Sequence, residues 1–268
     1  MVVRAVVAGI GGRMGSRIAQ LVRESDGIEL AGGFEHPEHP GVGKDISDLI
    51  GGGPTGKKVC GAMEEALGNA DLVIDFTSAS ASLRHLQEAA ERKIAMVVGS
   101  TGFNASQIAE VRELTRSFPC VLTPNMSVGV NVLFKVVEDL TRLLSHGFDI
   151  EIVESHHRFK KDAPSGTAVK LAQIIAGALN RELDKVGIYA RHGLIGERSN
   201  EEIGIQTLRG GDIVGEHTIL FAGMGERVEL THRAHSRDTF ARGAIRAALW
   251  VVRQPPGLYD MHNVLGIE

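Results

Sequence analysis

The N-terminal segment VVRAVVAGIGGRMGSRIAQ, which joins a strand, a glycine-rich turn and a helix, constrains the fold more than any other stretch. The apolar run 2–8 predicts a buried strand, and residues 13–24 have the apolar spacing of a helix. Small residues in such a turn let the backbone approach a pyrophosphate, and the helix N-terminus offers free N–H groups. The turn has the form G-x-x-G-x-x-G, with Gly9, Gly12 and Gly15. This variant of the dinucleotide fingerprint predicts a nucleotide-binding βαβ unit.

An acidic residue follows the second predicted strand. Residues 28–34 read as that strand, and Glu35 stands at its end, about 20 residues beyond the last glycine of the turn. A carboxylate there can accept hydrogen bonds from both adenosine ribose hydroxyls. Arg13 and His36 flank the site and could meet a 2′-phosphate. The residues therefore predict NADH, NADPH or both as cofactor and leave the choice between them open.

Strands and helices continue to alternate up to residue 125. Strand-like runs occur at 71–76, 94–98 and 119–122, and helical spacing occurs at 79–92 and 104–116. This alternation predicts a parallel sheet, with ligands bound beyond the carboxyl ends of the strands. The loops after two strands are candidates for the nicotinamide side, although they also fit ordinary βα loops: Gly99, Ser100, Thr101, Thr123, Pro124, Asn125 and Met126. The glycine-rich stretch 41–58 is expected to be mostly loop.

The pattern changes after residue 125. Helical spacing recurs at 129–144, 165–180 and 238–252, and strand patterns at 149–154, 203–208, 213–221 and 226–233. AGMGE is a plausible hairpin between the last two strands. These features predict an α+β half with a mostly antiparallel sheet. The fold class is thus α/β, a Rossmann-type parallel sheet followed by an α+β domain.

The composition of the chain argues against several classes of binding partner. The 268 residues suit one large domain or two smaller ones, and the net charge of −4 provides no basic field for nucleic acid or an anionic membrane. No apolar run approaches the length of a membrane span. The two cysteines lack the spacing of metal ligands, which argues against a metal site and fits a reducing compartment. We expect a cytoplasmic protein that binds neither nucleic acid nor membranes.

The segment ESHHRFKKDAPSGTA, residues 154–168, gathers groups suited to proton transfer and anion binding. Histidine titrates near neutral pH, and lysine offers a positive charge that can also donate a proton. Pro164 is expected to fix an early helical turn, with Gly166 and Thr167 presenting N–H groups to a carboxylate. The alternative is a charged surface loop with two incidental histidines. The residues alone do not decide between a catalytic loop and a solvated one.

The segment VESHHRFKKDAPSGTA closely resembles the signature of the dihydrodipicolinate reductase family. VAGIGGRMG is similar to that family's cofactor turn, VVGSTGF and TPNMSVGVN to its nicotinamide-side loops, and the stretch from RGGDIVGEH to RAALWV to its C-terminal part. The resemblance covers essentially the whole chain. It implies hydride transfer from NADH or NADPH to a cyclic, unsaturated dicarboxylate, which gives tetrahydrodipicolinate on the route to diaminopimelate and lysine. It also implies a homotetramer assembled through the C-terminal sheet.

The same resemblance assigns roles to residues. His156 matches the family's proton donor or acceptor, and Lys160 its proton donor. His157 matches a substrate contact, and the S-G-T run matches the carboxylate-binding turn, Ser165, Gly166 and Thr167. The matching cofactor positions are Gly9, Ile10, Gly11, Gly12, Arg13, Met14, Glu35, His36, Gly99, Ser100, Thr101, Thr123, Pro124, Asn125 and Met126.

The resemblance further implies a dinucleotide-binding domain over 1–127, completed by 237–268, and a substrate-binding and oligomerisation domain over 128–236. Family members commonly have arginine after the ribose-binding acid, where this chain has His36, and that difference favours NADH. Two other functions fit parts of the chain. One is a different Rossmann-type reductase of an amino-acid precursor, and the other is a non-catalytic nicotinamide-sensing module. The second leaves the histidine and lysine cluster without a purpose.

Overall fold

The structure, a computed structural model, describes residues 2–267, which fall into two compact units. The described residues up to Val128 and those from Asp238 onward form the first unit, and Gly129–Arg237 form the second. The chain leaves the first unit once and returns to it. The first unit is therefore built from two separate stretches of sequence.

The first unit is built on a parallel sheet, as the alternating pattern predicts. Strands are numbered along the chain, and within the described residues the seven of this sheet are β1 (Val3–Ala8), β2 (Ile28–Phe34), β3 (Val59–Cys60), β4 (Leu72–Asp75), β5 (Ala95–Val98), β6 (Pro119–Leu122) and β12 (Gly257–Tyr259). Their order is β3-β2-β1-β4-β5-β6-β12, and each pairing is parallel. The carboxyl ends of β1, β2 and β4 therefore lie side by side.

Helices pack against both faces of this sheet. They are α1 (Arg13–Glu24), α2 (Ser47–Ile50), α3 (Met63–Leu67), α4 (Ala79–Arg92), α5 (Ala105–Leu114), α9 (Asp238–Val251) and α10 (Met261–Leu265). Successive residues of β1 enter different cores, because side chains alternate along a strand. Ala5 and Val7 pack in the core that contains residues of α1 and α9, and Val6 and Ala8 pack in the core that contains residues of α4.

The predicted elements of this unit are confirmed, and several short ones were missed. The glycine-rich stretch 41–58 is mostly loop but contains α2, and the carboxylate of Asp45 holds it by accepting N–H bonds from Ser47, Thr55 and Gly56. Elements α3, β12 and α10 have too few residues to show a periodic pattern. None of the described helices is long and apolar enough to cross a membrane.

The second unit packs helices against a mixed sheet. Its strands are β7 (Phe148–His156), β8 (Gly187–Ile188), β9 (Ile203–Arg209), β10 (Gly215–Gly223) and β11 (Glu226–Ala234). The order is β11-β10-β7-β9-β8. The pairings of β10 with β11 and β7 are antiparallel, as expected, whereas β9 pairs in parallel with β7 and β8. The predicted antiparallel sheet thus gains a parallel edge.

Helices α6 (Val128–Leu143), α7 (Gly166–Ala178) and α8 (Leu183–Val186) complete the second unit. Apolar side chains of α6 and α7 cover one face of β7, on which Ile150 and Ile152 are buried. Because side chains alternate along a strand, Glu154 and His156 lie on that same face. Glu154 is fully buried. A carboxylate thus takes the next core-facing position after two isoleucines.

Candidate active site

The glycine turn leaves the N-terminus of α1 open to a ligand. Gly12 is the N-cap residue, and no side chain of the described chain caps the helix there. Its N–H donates instead to the carbonyl oxygen of Gly9, at 2.9 Å. A Cβ at Gly15 would lie 2.0 Å from that same oxygen, so only glycine lets the helix start this close to the end of β1. The uncapped N–H groups and the positive end of the helix dipole suit a pyrophosphate.

Glu35 lies beside this turn, as its position in the sequence predicts. Its Oε1 accepts the N–H of Gly11 at 2.8 Å, which fixes the carboxylate at the ends of β1 and β2. A cavity of about 310 Å³ opens there, lined in part by Glu35, His36, Arg84 and His85. The sequence did not reveal Arg84 and His85, because they belong to α4 and no motif marks them. The cavity presents an acid suited to ribose hydroxyls together with one guanidinium and two imidazoles.

A buried acid supports the same edge of the sheet. Asp75 ends β4 and is fully buried. Its carboxylate pairs with the Nδ1 of His85 at 2.7 Å and accepts the N–H and the hydroxyl of Thr77, at 2.9 and 2.6 Å. Burial raises the pKa of Asp75, but these hydrogen bonds outweigh it and the net direction is downward. The ionised carboxylate therefore ties α4 and the loop after β4 to the sheet.

Four of the predicted cofactor residues are buried. Ile10 lies in the core beneath the turn, Thr123 and Met126 are almost fully buried, and the hydroxyl of Ser100 pairs with that of Ser82 at 2.7 Å. Thr101 and Pro124 are exposed beyond the ends of β5 and β6. The four buried side chains therefore support the turn and loops from within, and the exposed residues are the ones placed to reach a ligand.

The second unit gathers the predicted proton-transfer residues at the end of β7. His156 is the last residue of that strand, and its Nδ1 lies 2.5 Å from Oε2 of Glu154. Arg209, at the end of β9, donates to both oxygens of Glu154 at 2.9 Å and also to the carbonyl oxygen of Asp162 at 2.6 Å. This guanidinium links the strand to the loop that carries Lys160, whose ammonium lies 2.9 Å from the Asp162 carboxylate.

The carboxylate of Glu154 is ionised. Burial raises its pKa, but hydrogen bonds from His156, Arg209 and the backbone of Ser165 outweigh that effect and lower the pKa to about 2. A buried charge with this many donors is stable only as the anion. The second unit therefore fixes one negative charge directly beneath the imidazole of His156.

Ser165 starts α7 as its N-cap, so the helix begins at Gly166. The Ser165 hydroxyl accepts the N–H of Ala168 at 3.2 Å and lies 3.0 Å from Nε2 of His217. A Cβ at Gly166 would have no described atom within 4 Å, so the start of the helix faces open space. The expectation that Pro164 fixes the first helical turn is wrong. Pro164 precedes the cap and follows a cis peptide bond.

His157 and His217 also lie at this site. The Nδ1 of each is buried and has no hydrogen-bond partner among the described residues. The rings of His156 and His217 meet edge to face, with centroids 5.3 Å apart. Burial and the neighbouring His156 lower the pKa of His217 to about 3, so His217 is a neutral imidazole. The structure thus brings predicted His156, His157, Lys160 and Ser165 together with three residues that the sequence analysis missed, Glu154, Arg209 and His217.

One of the missed residues left a signal in the sequence. In FDIEIVESH, Glu154 continues the alternation set by Ile150 and Ile152 and therefore falls at a core-facing position. A charge at such a position requires partners in the interior. Arg209 and His217 left no comparable signal, because they meet Glu154 only through the pairing of β7 with β9 and β10.

A parallel sheet with an open helix N-terminus and an acid at the end of its second strand, followed in the same chain by a histidine and lysine site, is typical of a nicotinamide-dependent oxidoreductase of a small molecule. Family models agree along almost the whole chain. The model for "Dihydrodipicolinate reductase, N-terminus" matches residues 3–126, and that for "Dihydrodipicolinate reductase, C-terminus" matches residues 129–265. The chain belongs to the dihydrodipicolinate reductase family.

Known proteins give the same result. A 4-hydroxy-tetrahydrodipicolinate reductase from Syntrophobacter fumaroxidans (strain DSM 10017 / MPOB) is 67% identical over 266 residues, covering 99% of this chain and 100% of that protein. One from Syntrophus aciditrophicus (strain SB) is 57% identical, covering 99% of each. A dipicolinate-bound dihydrodipicolinate reductase from Paenisporosarcina sp. TG-14 has a TM-score of 0.76 and 25% identity, covering 98% of this chain and 99% of that one.

A more distant structure shares the fold alone. An amine dehydrogenase from Mycobacterium smegmatis has a TM-score of 0.58 at 18% identity, covering 96% of this chain and 94% of that chain. The same fold therefore occurs among oxidoreductases of other substrates, and the fold does not identify the reaction. The family match and the high identities to named reductases distinguish this chain from a different Rossmann-type reductase.

Proposed function

We propose that this chain reduces 4-hydroxy-tetrahydrodipicolinate, or the dihydrodipicolinate that forms from it by loss of water, to tetrahydrodipicolinate. One observation carries the proposal. His156, Lys160 and the N-terminus of α7 belong to one short segment that Glu154 and Arg209 hold together at the end of β7. A cyclic dicarboxylate needs both a proton and an anion site, and this segment offers both.

The first unit supplies the residues that would hold the cofactor. The turn from Gly9 to Met14 and the N-terminus of α1 fit the pyrophosphate. The fit depends on Gly15, because a Cβ there would clash with the end of β1 and push the helix away from it. Glu35 fits the adenosine ribose. The bound nicotinamide would supply the hydride. The exposed residues beyond β5 and β6, such as Thr101 and Pro124, are proposed to line its nicotinamide end.

Proton transfer is assigned to His156 and Lys160. The Nδ1 of His156 faces a permanent carboxylate, so Nε2 is the ring atom left to exchange a proton with substrate. The Lys160 ammonium is one-fifth exposed and is held by Asp162, which keeps a cation close to a bound dianion. Together they would deliver the proton that balances the incoming hydride, and His157 would contact the substrate.

Binding of a substrate carboxylate is assigned to Gly166 and Thr167. The N–H groups at the start of a thirteen-residue helix form a site for an anion, reinforced by the helix dipole. Ser165 holds this turn in place through its cap and its contact with His217. A carboxylate fixed there orients the ring, which converts binding into positioning for reaction.

The cofactor choice depends on the ends of β1 and β2. The carboxylate of Glu35 favours a ribose with both hydroxyls and repels a 2′-phosphate, whereas Arg84 and His36 line the same cavity and attract one. We propose that both cofactors are used and that NADH is favoured. His36→Arg should raise kcat/KM for NADPH relative to NADH by about tenfold, since a guanidinium binds phosphate in a bidentate manner.

The test is parallel oxidation of NADH and NADPH, with substrate made in situ from pyruvate and aspartate semialdehyde by the preceding synthase. His156→Gln should lower kcat by at least about 10²-fold without changing the Kd for NADH. His146→Gln, an exposed histidine of the same unit, is the matched control and should retain wild-type activity. If folded protein that binds NADH shows no turnover, the assigned substrate is wrong, and a non-catalytic nicotinamide-sensing function is favoured instead.

Homotetrameric assembly remains a prediction from the family resemblance, and a cytoplasmic location remains a prediction from the composition of the chain. Light scattering of the purified protein across a range of concentrations measures the first. A monomer at the concentration of the assay would reject the tetramer without affecting the assigned reaction.

A further inference from the structure

We propose that Glu154 is a positioning residue, which fixes the tautomer and orientation of His156 and, through Ser165, the turn at which α7 begins. The proposal rests on the function proposed above, because it deepens the account of the same site. Glu154 has no accessible surface, so it acts through its neighbours rather than by touching substrate. Three elements meet at its carboxylate: β7, β9 and the N-terminus of α7.

The tautomer of His156 follows from the charge of Glu154. Both oxygens accept hydrogen bonds from Arg209, at 2.9 Å each, so the carboxylate is ionised and can only accept. The Nδ1 of His156, 2.5 Å from Oε2, must therefore carry a hydrogen. In the neutral ring this leaves the lone pair on Nε2. One buried charge thus decides which ring atom can take up a proton.

The ring of His156 is also confined sideways. On β10, a Cβ at Gly215 would lie 3.0 Å from Nε2, so the absence of a side chain leaves room for this edge of the ring. The other edge contact is His217, whose ring meets that of His156 at 75°. Charged or titratable groups facing His156 are Glu154 and His217, with Arg209 and Lys160 close by.

The second oxygen of Glu154 reaches the carboxylate-binding turn. Oε1 accepts the N–H of Ser165 at 3.0 Å and the hydroxyl of Thr207 at 3.2 Å. Ser165 is the residue whose hydroxyl caps α7. The same carboxylate therefore sets the position of the imidazole and that of the helix start. Because both are fixed to one rigid group, the distance from the proton to the bound carboxylate is fixed as well.

The experiment compares Glu154→Gln with Glu151→Gln. Glu151 lies on the same strand, points to the opposite face and forms ion pairs with Arg191 and Arg198, so it controls for the loss of an ion pair in β7. Steady-state kinetics, NADH binding and proton NMR are measured on the intact protein. The side-chain amide that Glu154→Gln introduces can donate to Nδ1, which favours the opposite tautomer.

We expect Glu154→Gln to lower kcat by about 10²-fold while the Kd for NADH stays within about twofold. The far-downfield proton resonance of the short hydrogen bond between Nδ1–H and the carboxylate should disappear. In the pH profile of kcat, the alkaline limb, where activity falls as pH rises, should move to lower pH. A merely structural role would change none of these relative to the control. Glu151→Gln should keep both the resonance and kcat.

Two results would overturn the proposal. The first is a Glu154→Gln enzyme whose kcat stays within about threefold of wild type after the resonance is lost. The second needs no variant: if nitrogen NMR of the wild-type protein at about pH 8 finds the hydrogen of His156 on Nε2, the assignment is wrong even if Glu154→Gln fails to fold. The NMR measurement of the tautomer also does not depend on whether the enzyme turns over the substrate. An inactive wild-type enzyme with the Nδ1–H tautomer would therefore reject the substrate and leave the positioning role standing.

Discussion

Lowering the pH from 7 to 5 should destabilise the second unit by about 2 kcal/mol through one side chain, His217. Burial and the neighbouring His156 lower the pKa of His217 from its ordinary value of 6.5 to about 3. As the pH falls through 6.5, the unfolded chain binds a proton at this residue while the folded chain stays neutral. Protons therefore favour unfolding in the window from pH 6.5 down to about 3. At pH 5, about 1.5 pH units into that window, the effect is worth about 2 kcal/mol.

The variant His217→Gln removes this linkage. Its amide can still reach the hydroxyl of Ser165, but it does not titrate. Urea unfolding followed by far-UV circular dichroism at pH 7 and 5, at one protein concentration, gives the free energy of unfolding. Circular dichroism is needed because the single tryptophan, Trp250, lies in the first unit. The variant should lose about 2 kcal/mol less than wild type between the two pH values.

Ser165→Ala is the matched control, since it removes the hydrogen bond to His217 and the cap of α7 but leaves the imidazole in place. It should lower stability by about 1 kcal/mol at both pH values and keep the wild-type pH dependence. If His217→Gln and wild type show the same loss between pH 7 and 5, the imidazole is not held neutral by the fold, and the reasoning fails.

Three further changes test other contacts. Arg209→Met leaves buried Glu154 without its cation and should lower the free energy of unfolding in urea by about 3 kcal/mol, with Arg209→Lys losing less; a loss below about 1 kcal/mol would contradict the buried pair. Gly15→Ala puts a methyl group 2.0 Å from the oxygen of Gly9 and should raise the Kd for NADH, measured by fluorescence, by at least about tenfold; an unchanged Kd would show that this turn does not bind the cofactor. Arg17→Met breaks an ion pair with the carboxylate that begins α9, and both groups are about a third exposed, so a urea titration should show a loss under about 1 kcal/mol; a loss above about 2 kcal/mol would contradict that reasoning.

Much of the first unit could be predicted because its information is local. The turn after β1 needs its glycines within a few residues, and the helices that follow show their own apolar spacing. Short elements were missed for the converse reason. β12 has three residues and gains its hydrogen bonds from β6, so nothing within it marks a strand.

The candidate active site was predictable in part. His156, Lys160 and the start of α7 lie within one segment, and a local motif revealed them. Glu154 and Arg209 are 55 residues apart and meet because β7 and β9 pair in parallel. Strand order is decided by packing across the whole sheet, and no local pattern encodes it. The ion pair that supports the imidazole of His156 could therefore not be predicted from the sequence without knowing the strand order.

The return of the chain to the first unit has a consequence for synthesis and for proteolysis. The sheet of the first unit acquires its edge strand β12 only after the whole second unit has been translated. The second unit can therefore fold before the sheet of the first unit is complete. The two units are joined by two crossings of the backbone. A single cut within either crossing leaves them tethered by the other, and a protease must cleave both to break every covalent link between the two units.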